Sequence, residues 1–387
     1  MPALGVQAAG PASIIAWAGL LVLSVPVAAT FAVLGVTYPV AGGVSEYARA
    51  GFGGTAAAVT GGWFVAAVII GGPAVALIGG YYVADLTGTG TTVAVIVGLL
   101  MAAVVLGMNG LGLRLSSSVQ LGLSALLVLV VAVAIAVALP TRAGDNWTPF
   151  APHGWLAIGT AANILVWQFF GWEGVAQLAG DFRRPKVDLP RAMALAFGVI
   201  SVLYISLAVA TIGVSGGSSS RVPLADLVSV GFGRAGRDAT ALLAVVLTMG
   251  TMNVYIGGAA KLVRELAREG ALPAWLGVGE RSVPIRPLIL FGSTLVVLLL
   301  ALAAGWLNAT DLVRAVSSLF VAVYVLTIAS AIRILHGRQR GLAIAAMVLV
   351  LMVFVFSGKY LLVPAVAAAL SVLFHFRYRT EHTGTVR

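Results

Sequence analysis

The chain has 387 residues, of which 60% are hydrophobic and only 9% are charged, and its mean hydropathy is +1.05. Soluble domains carry about a quarter charged residues, so this composition excludes an ordinary soluble enzyme and indicates an integral membrane protein. Cysteine is absent, which removes disulfides and thiolate metal sites, and the net charge of +10 is better explained by membrane topology than by nucleic-acid binding.

Apolar runs of about twenty residues predict helices that cross the bilayer, because a helix of that length spans a hydrocarbon core of about 30 Å. The apolar start, residues 1–9, is too short to cross the membrane and predicts a half helix. With it, the sequence predicts twelve helices. The eleven full spans are 13–36, 55–84, 91–109, 119–139, 154–180, 190–214, 238–263, 287–307, 312–334, 342–357 and 360–376.

The distribution of basic residues predicts the orientation of these helices. If the spans alternate in direction, 17 of the 23 Lys and Arg residues fall on one side of the membrane and six on the other. The positive-inside rule assigns the larger group to the cytoplasm. Both termini are therefore expected to be cytoplasmic, in a multi-pass protein of the inner (cytoplasmic) membrane. The six residues expected outside are Arg142, Arg221, Arg234, Arg237, Arg314 and Lys359.

Two short segments, 45–53 and 225–233, share an acidic residue that is followed five positions later by Gly-Phe-Gly. They are 180 residues apart and fall on opposite sides of the membrane. Two inverted-topology repeats of five helices would produce this pattern, although chance similarity in a glycine-rich chain is the alternative. We predict one membrane domain with repeats at 1–139 and 154–334, two further helices at 342–376 and a cytoplasmic tail at 377–387.

The predicted span 154–180 carries Glu173 deep inside an apolar run, with Gly171 and Gly174 beside it. A carboxylate at that depth is costly unless it faces a cavity or a partner, and glycine weakens a helix. We therefore predict an interrupted helix whose free backbone groups bind a substrate halfway across the bilayer. A close-packing face of small residues is the alternative.

The repeat offset also bears on the beginning of the chain. Subtracting 180 residues from Gly171 places the matching break before residue 1. The sequence is therefore expected to begin inside its first helix, which would be truncated at its N-terminal end. A misassigned start codon and a true truncation both remain open.

Four groups of residues carry a family resemblance: 38–44 with Tyr47, Phe52 and Gly53; 170–173; the loop 181–192; and 253–256. With these residues the chain resembles the amino acid, polyamine and organocation transporter superfamily, and most of all its bacterial methionine and branched-chain amino-acid exporters. The resemblance implies a substrate bound between the unwound middles of helices 1 and 6. It also shows two departures, since the glycine motif usual in helix 1 and a lysine common in helix 5 are absent.

Candidate site residues follow from the broken span and from the resemblance. Glu173 is either a proton-coupling group or a structural carboxylate that ties its helix to a neighbouring backbone. Trp167 and Phe170 are gate candidates by resemblance, with plain packing as the alternative. Asn253 and Tyr255 are either substrate contacts or partners in interhelical hydrogen bonds. The substrate-binding candidates are Trp167, Phe169, Phe170, Gly171, Trp172 and Gly174.

The resulting functional prediction is a secondary active transporter of neutral, apolar L-amino acids of the methionine, leucine, isoleucine and valine class, working by alternating access. Efflux in antiport with protons is implied by the resemblance, and an amino-acid or amine importer or exchanger of the same superfamily is the alternative. A membrane enzyme would need clustered catalytic side chains at one depth, and a channel would need rings of charge or a carbonyl filter. The sequence favours neither.

The predicted partners are the amino-acid substrate, protons and membrane lipids, with no nucleic acid. No cofactor and no metal site are expected, since the four histidines fall in loops or at helix ends. The basic run of Arg183, Arg184, Lys186 and Arg191 is either a topology signal or a binding site for anionic lipid headgroups.

Overall fold

The computed structural model describes residues 2–38, 43–113, 117–141, 144–177, 182–215, 220–278 and 283–383. In these ranges, ten helical segments are long and apolar enough to cross a bilayer. The predicted all-α, multi-pass membrane fold is therefore confirmed. Residues 39–42 and 181 of the family motifs, and the basic residues Arg114, Arg142 and Arg281, lie outside the described ranges.

The helices follow the predicted spans closely, because each long apolar run can satisfy its backbone in lipid only as a helix. In chain order they are α1 (Pro2–Ala9), α2 (Ser13–Thr37), α3 (Gly43–Phe52), α4 (Gly54–Leu86), α5 (Thr91–Gly110), α6 (Ser117–Ala138), α7 (Ala157–Leu165), α8 (Trp172–Gln177), α9 (Pro185–Ser215), α10 (Pro223–Arg268), α11 (Ile285–Ala303), α12 (Ala309–Ile334), α13 (Gly337–Val355) and α14 (Leu362–Thr383).

The span 154–180 is divided, as its predicted interruption requires, into α7, a 3₁₀ turn at Val166–Phe169 and α8. Two other predicted helices need correction. The span 238–263 belongs to the longer α10, which changes direction at Gly233. The half helix 1–9 and the span after it are joined by a 3₁₀ turn at Gly10–Ala12, where Gly10 has φ of +61°.

The helices differ in how much protein surrounds them. In the apolar stretch of α12, 78% of the residues are buried, whereas in α6 the figure is 17%. Large apolar side chains such as Leu121 and Leu129 of α6 are exposed, as expected for residues that face lipid. Thus α12 lies in the interior of the bundle and α6 at its periphery.

The two segments with the shared Gly-Phe-Gly pattern have similar local structure. The first forms α3, which ends just before Gly53, and the second forms the first part of α10, up to Gly233. Both glycines have positive φ, +87° and +58°. This likeness agrees with an inverted repeat, which stays a prediction.

Ion pairs join residues that the sequence assigns to the same side of the membrane. Arg49 of α3 contacts Glu269, just after α10, at 2.5 Å. At the other face, Arg237 of α10 bonds to Asp85 at 2.7 Å and to Asp226 at 2.9 Å. The partition of charge into two faces thus agrees with the predicted topology, while the orientation of the termini stays a prediction.

Helices α4 and α5 pack closely where Gly80 meets Ala94. A β-carbon placed on Gly80 would lie 2.8 Å from the carbonyl carbon of Ala94, and backbone cannot move aside as a side chain can. Small residues at such crossings allow helices in membranes to pack backbone against backbone.

We predict that Gly80→Ala lowers the free energy of unfolding by about 1–3 kcal/mol, the usual effect of overpacking. The measurement is the thermal unfolding midpoint in detergent. Gly107→Ala on the exposed face of α5, where a β-carbon meets open space, is the matched control and should leave the midpoint unchanged or raise it. Equal effects of the two variants would contradict the close crossing.

Candidate functional site

The centre of the candidate site is a break in the helical path between α7 and α8. Phe170 is extended, with φ of −81° and ψ of 148°, and Gly171 follows with φ of +134°. Residues other than glycine rarely adopt such a φ, so Gly171 explains why the helix stops here. The predicted interruption of the helix is confirmed.

Hydrogen bonds to Glu173 stabilise this break. Its side chain is only 2% exposed, and its Oε2 atom accepts from the backbone amide of Gly171 at 2.9 Å and from the hydroxyl of Tyr324 at 2.5 Å. Tyr324 lies on α12 and is also buried. A buried carboxylate without partners would be strongly destabilising, so these two donors hold the broken segment against the innermost helix.

Phe170 packs on α12 next to this hydrogen bond. Its ring stacks on Phe320 with a centroid distance of 4.9 Å and meets Tyr324 edge to face at 4.8 Å. Aromatic pairs of this kind contribute about 0.5–1.5 kcal/mol beyond the area that they bury. The extended residue of the break is thereby fixed from the α12 side.

Phe169 and Trp172 pack in another direction. The ring of Phe169 lies 5.9 Å from Trp17 of α2 and 5.3 Å from Tyr204 of α9. Trp172, also buried, lies 6.5 Å from Phe197 of α9. Helices α2 and α9 therefore also support the break.

A cavity of about 420 Å³ lies beside the turn that precedes the break. Its volume is within the range of small-molecule sites. It is bounded by α4, α6, α10, α12 and the 3₁₀ turn. Its lining residues are Ala67, Val68, Gly71, Gly72, Val75, Ile78, Leu127, Trp167, Gln168, Leu247, Thr248, Thr251, Met252, Tyr255, Ile256 and Phe320.

The cavity wall is mostly apolar, and none of its lining residues is charged. Polar groups come from Gln168, Thr248, Thr251 and Tyr255, besides the indole of Trp167. The Nε2 atom of Gln168 is buried and has no hydrogen-bond partner in the described part of the chain. It is therefore a buried polar group without a partner, in a side chain that also borders the cavity.

The predicted site residues have different positions around this cavity. Trp167 and Tyr255 line it, and Phe170 stacks on Phe320, which also lines it. The other predicted residues do not line it. Phe169 and Trp172 face α2 and α9, Gly171 and Glu173 form the break, Gly174 is exposed, and the buried Asn253 lies outside the lining.

Sequence reasoning missed Tyr324, Gln168 and the α4 wall. Gln168 lies beside Trp167 in the same mid-span motif, so its polar side chain in an apolar run was an available signal. Tyr324 is 151 residues from Glu173, and nothing local in the sequence indicates their contact.

Comparison with known proteins gives a family. A family model described as amino acid permease matches residues 1–376. The chain is 32% identical over 375 residues to the amino acid permease YecA of Bacillus subtilis, which covers 95% of this chain and 88% of that protein.

Two further relatives are named for branched-chain amino acids. The L-methionine/branched-chain amino acid exporter YjeH of Escherichia coli is 26% identical over 367 residues, covering 92% of this chain and 86% of that protein. The branched-chain amino acid permease BcaP of Bacillus subtilis is 28% identical over 141 residues, covering 34% of this chain and 29% of that protein. Only the first of these two extends over nearly the whole chain.

We predict that Tyr324→Phe destabilises the protein by about 1–3 kcal/mol, because it removes a hydrogen-bond donor from a buried carboxylate. The thermal unfolding midpoint in detergent measures this effect. Tyr47→Phe is the matched control, since the hydroxyl of Tyr47 is buried without a hydrogen-bond partner in the described ranges. If both variants unfold at the wild-type midpoint, the bond between Tyr324 and Glu173 does not stabilise the break.

Proposed function

The chain belongs to the amino acid permease family, and from that premise we propose that it moves neutral, apolar amino acids through the cavity beside Trp167 by alternating access. The family consists of membrane transporters, so the general activity is amino-acid transport rather than enzymatic catalysis. The observation that supports a neutral, apolar substrate is the uncharged cavity next to the broken helix.

The lining of the cavity supports a neutral substrate side chain. A basic or acidic side chain would enter an apolar space with no charged lining residue to pair with it, which is costly at membrane depth. An aliphatic or thioether side chain would instead pack against the wall formed by Val68, Val75 and Ile256. Methionine, leucine, isoleucine and valine meet this requirement.

The polar groups near the break suit the two charged ends of an amino acid. The amide of Gly171 is already bonded to Glu173, so we assign the substrate carboxylate to the unpaired Nε2 donor of Gln168. The turn Val166–Phe169 ends the helical path, and carbonyl groups at such an end attract an ammonium group. The side-chain amide of Gln168 and these carbonyl groups belong to the same short turn as Trp167.

We assign the gate to the stacked rings of Phe170 and Phe320. Phe320 lines the cavity, whereas Phe170 belongs to the break, in which Glu173 accepts a hydrogen bond from Tyr324 of α12. A rotation of either ring would change access to the cavity from one side. This couples the opening of the cavity to the conformation of the broken helix.

Export in antiport with protons is the proposed direction and coupling. The support for export is the similarity to a methionine and branched-chain amino-acid exporter over 92% of the chain. The proposed location is the cytoplasmic membrane with both termini inside, as the 17 to 6 split of basic residues indicates. Import or exchange by the same cavity is the alternative.

We predict that proteoliposomes containing the protein transport leucine in preference to arginine, and that a pH gradient increases leucine flux. Trp167→Ala should raise the KM for leucine about tenfold or more, because even one methylene in an apolar pocket is worth about 1–3 kcal/mol. Trp306→Ala is the matched control, since Trp306 is 82% exposed and lies outside the cavity.

Each component of the proposal has its own contradicting result. Preference for arginine would refute the neutral substrate, and flux that ignores the pH gradient would refute proton coupling. Accumulation in the direction opposite to export would establish the importer. An unchanged KM in Trp167→Ala would show that the cavity is not part of the transport path.

For Glu173 we predict a structural role. Glu173→Gln should keep both leucine exchange and its response to a pH gradient, because the amide oxygen can accept the same hydrogen bonds from Gly171 and Tyr324. Glu173→Ala should lose both activities, because it leaves these two donors unpaired. Exchange without gradient-driven flux in Glu173→Gln would instead identify Glu173 as the proton-coupling group.

A further inference from the structure

A second cavity, of about 500 Å³, lies between α2 and α9, outside the set of residues that line the candidate substrate site. We call it the α2–α9 groove. Most of its wall is apolar, and the polar side chains in its lining are Thr37, Lys186 and Gln339. The lining residues are Val25, Ala28, Ala29, Ala32, Val33, Val36, Thr37, Lys186, Pro190, Met193, Ala194, Phe197 and Gln339.

The polar residues of the groove gather at one end. Thr37 is the last residue of α2, Lys186 is the second residue of α9, and Gln339 lies in the first turn of α13. Three helix ends thus meet at the same membrane surface. The apolar wall extends from there toward the middle of the bilayer.

The length of the groove matches one leaflet. From Val25 to Thr37 the α2 wall rises about 18 Å, and from Lys186 to Phe197 the α9 wall rises about 16 Å. One leaflet contributes about half of a hydrocarbon core of roughly 30 Å. A lipid with its headgroup at the polar end would therefore lay an acyl chain along the whole groove.

The charge at the polar end selects the headgroup. Exposed Arg183, Arg184, Arg338 and Arg340 are close in sequence to Lys186 and Gln339. The acid in the first turn of α9 is Asp188, and it is paired with Arg184 at 3.4 Å. The excess of positive charge favours an anionic headgroup.

We propose that the α2–α9 groove binds one anionic glycerophospholipid, with an acyl chain between α2 and α9 and its phosphate beside Lys186. This site stands apart from the transport activity and needs no particular substrate. It assigns a role to Lys186 beyond that of a topology signal.

Occupancy of the groove would reach the broken helix through Phe197. This residue lines the groove, and its ring lies 6.5 Å from Trp172, the first residue of α8. Helix α2, the other wall, also packs against α7 and α8. A lipid in the groove would fill the space behind both supports of the break and stabilise the folded protein.

The test is native mass spectrometry of the purified protein in a neutral detergent with phosphatidylglycerol or phosphatidylcholine of identical chains. The wild type should retain one phosphatidylglycerol molecule in preference to phosphatidylcholine. Lys186→Gln should reduce that preference about fivefold, the contribution of one basic side chain at an anionic surface. Ala194→Trp, which fills the groove from an exposed position, should abolish retention of both lipids.

Lys359→Gln is the matched control, because it makes the same change at a lysine outside the groove, and it should keep the wild-type preference. Size-exclusion elution at the wild-type volume establishes that each variant is folded. Equal retention of both lipids by the wild type, or wild-type retention by Ala194→Trp, would overturn the proposal. Displacement of phosphatidylglycerol by inorganic phosphate alone would show a free-anion site instead.

Discussion

The structure depends on one buried carboxylate. Glu173 accepts hydrogen bonds from the amide of Gly171 and from the hydroxyl of Tyr324, and so fixes a helix break against α12. An unpaired backbone group in the membrane interior is costly, and a bare carboxylate is costlier still. The backbone amide of Gly171, which the break leaves without a helical partner, donates a hydrogen bond to the carboxylate of Glu173. Both polar groups are therefore satisfied. The break is therefore a stable part of the fold.

The same break positions the cavity that we propose as the substrate site. It ends the helical path just after Trp167 and Gln168, and these two residues border a cavity whose remaining walls come from α4, α6, α10 and α12. The uncharged lining of this cavity is the basis for the proposed neutral, apolar substrate. Phe169 and Trp172 pack instead against α2 and α9, the helices that form the α2–α9 groove.

The sequence predicts the features that are set by local chemistry. Apolar run length gives the spans, and a carboxylate beside two glycines gives the break at Gly171, whose φ of +134° suits glycine alone. The sequence does not predict features that depend on contacts between distant helices. The partnership of Tyr324 with Glu173 is one, and the placement of Trp172 and Asn253 outside the cavity lining is another. A helical period tells which residues share a face, but not which neighbour that face meets.

A cryo-electron microscopy map of the protein in lipid nanodiscs with saturating leucine tests the central claim most directly. We expect extended backbone at Phe170 and Gly171, the carboxylate of Glu173 in contact with Tyr324, and ligand density beside Trp167 and Gln168. A continuous helix from residue 157 to residue 177, or ligand density in a different part of the molecule, would contradict the account.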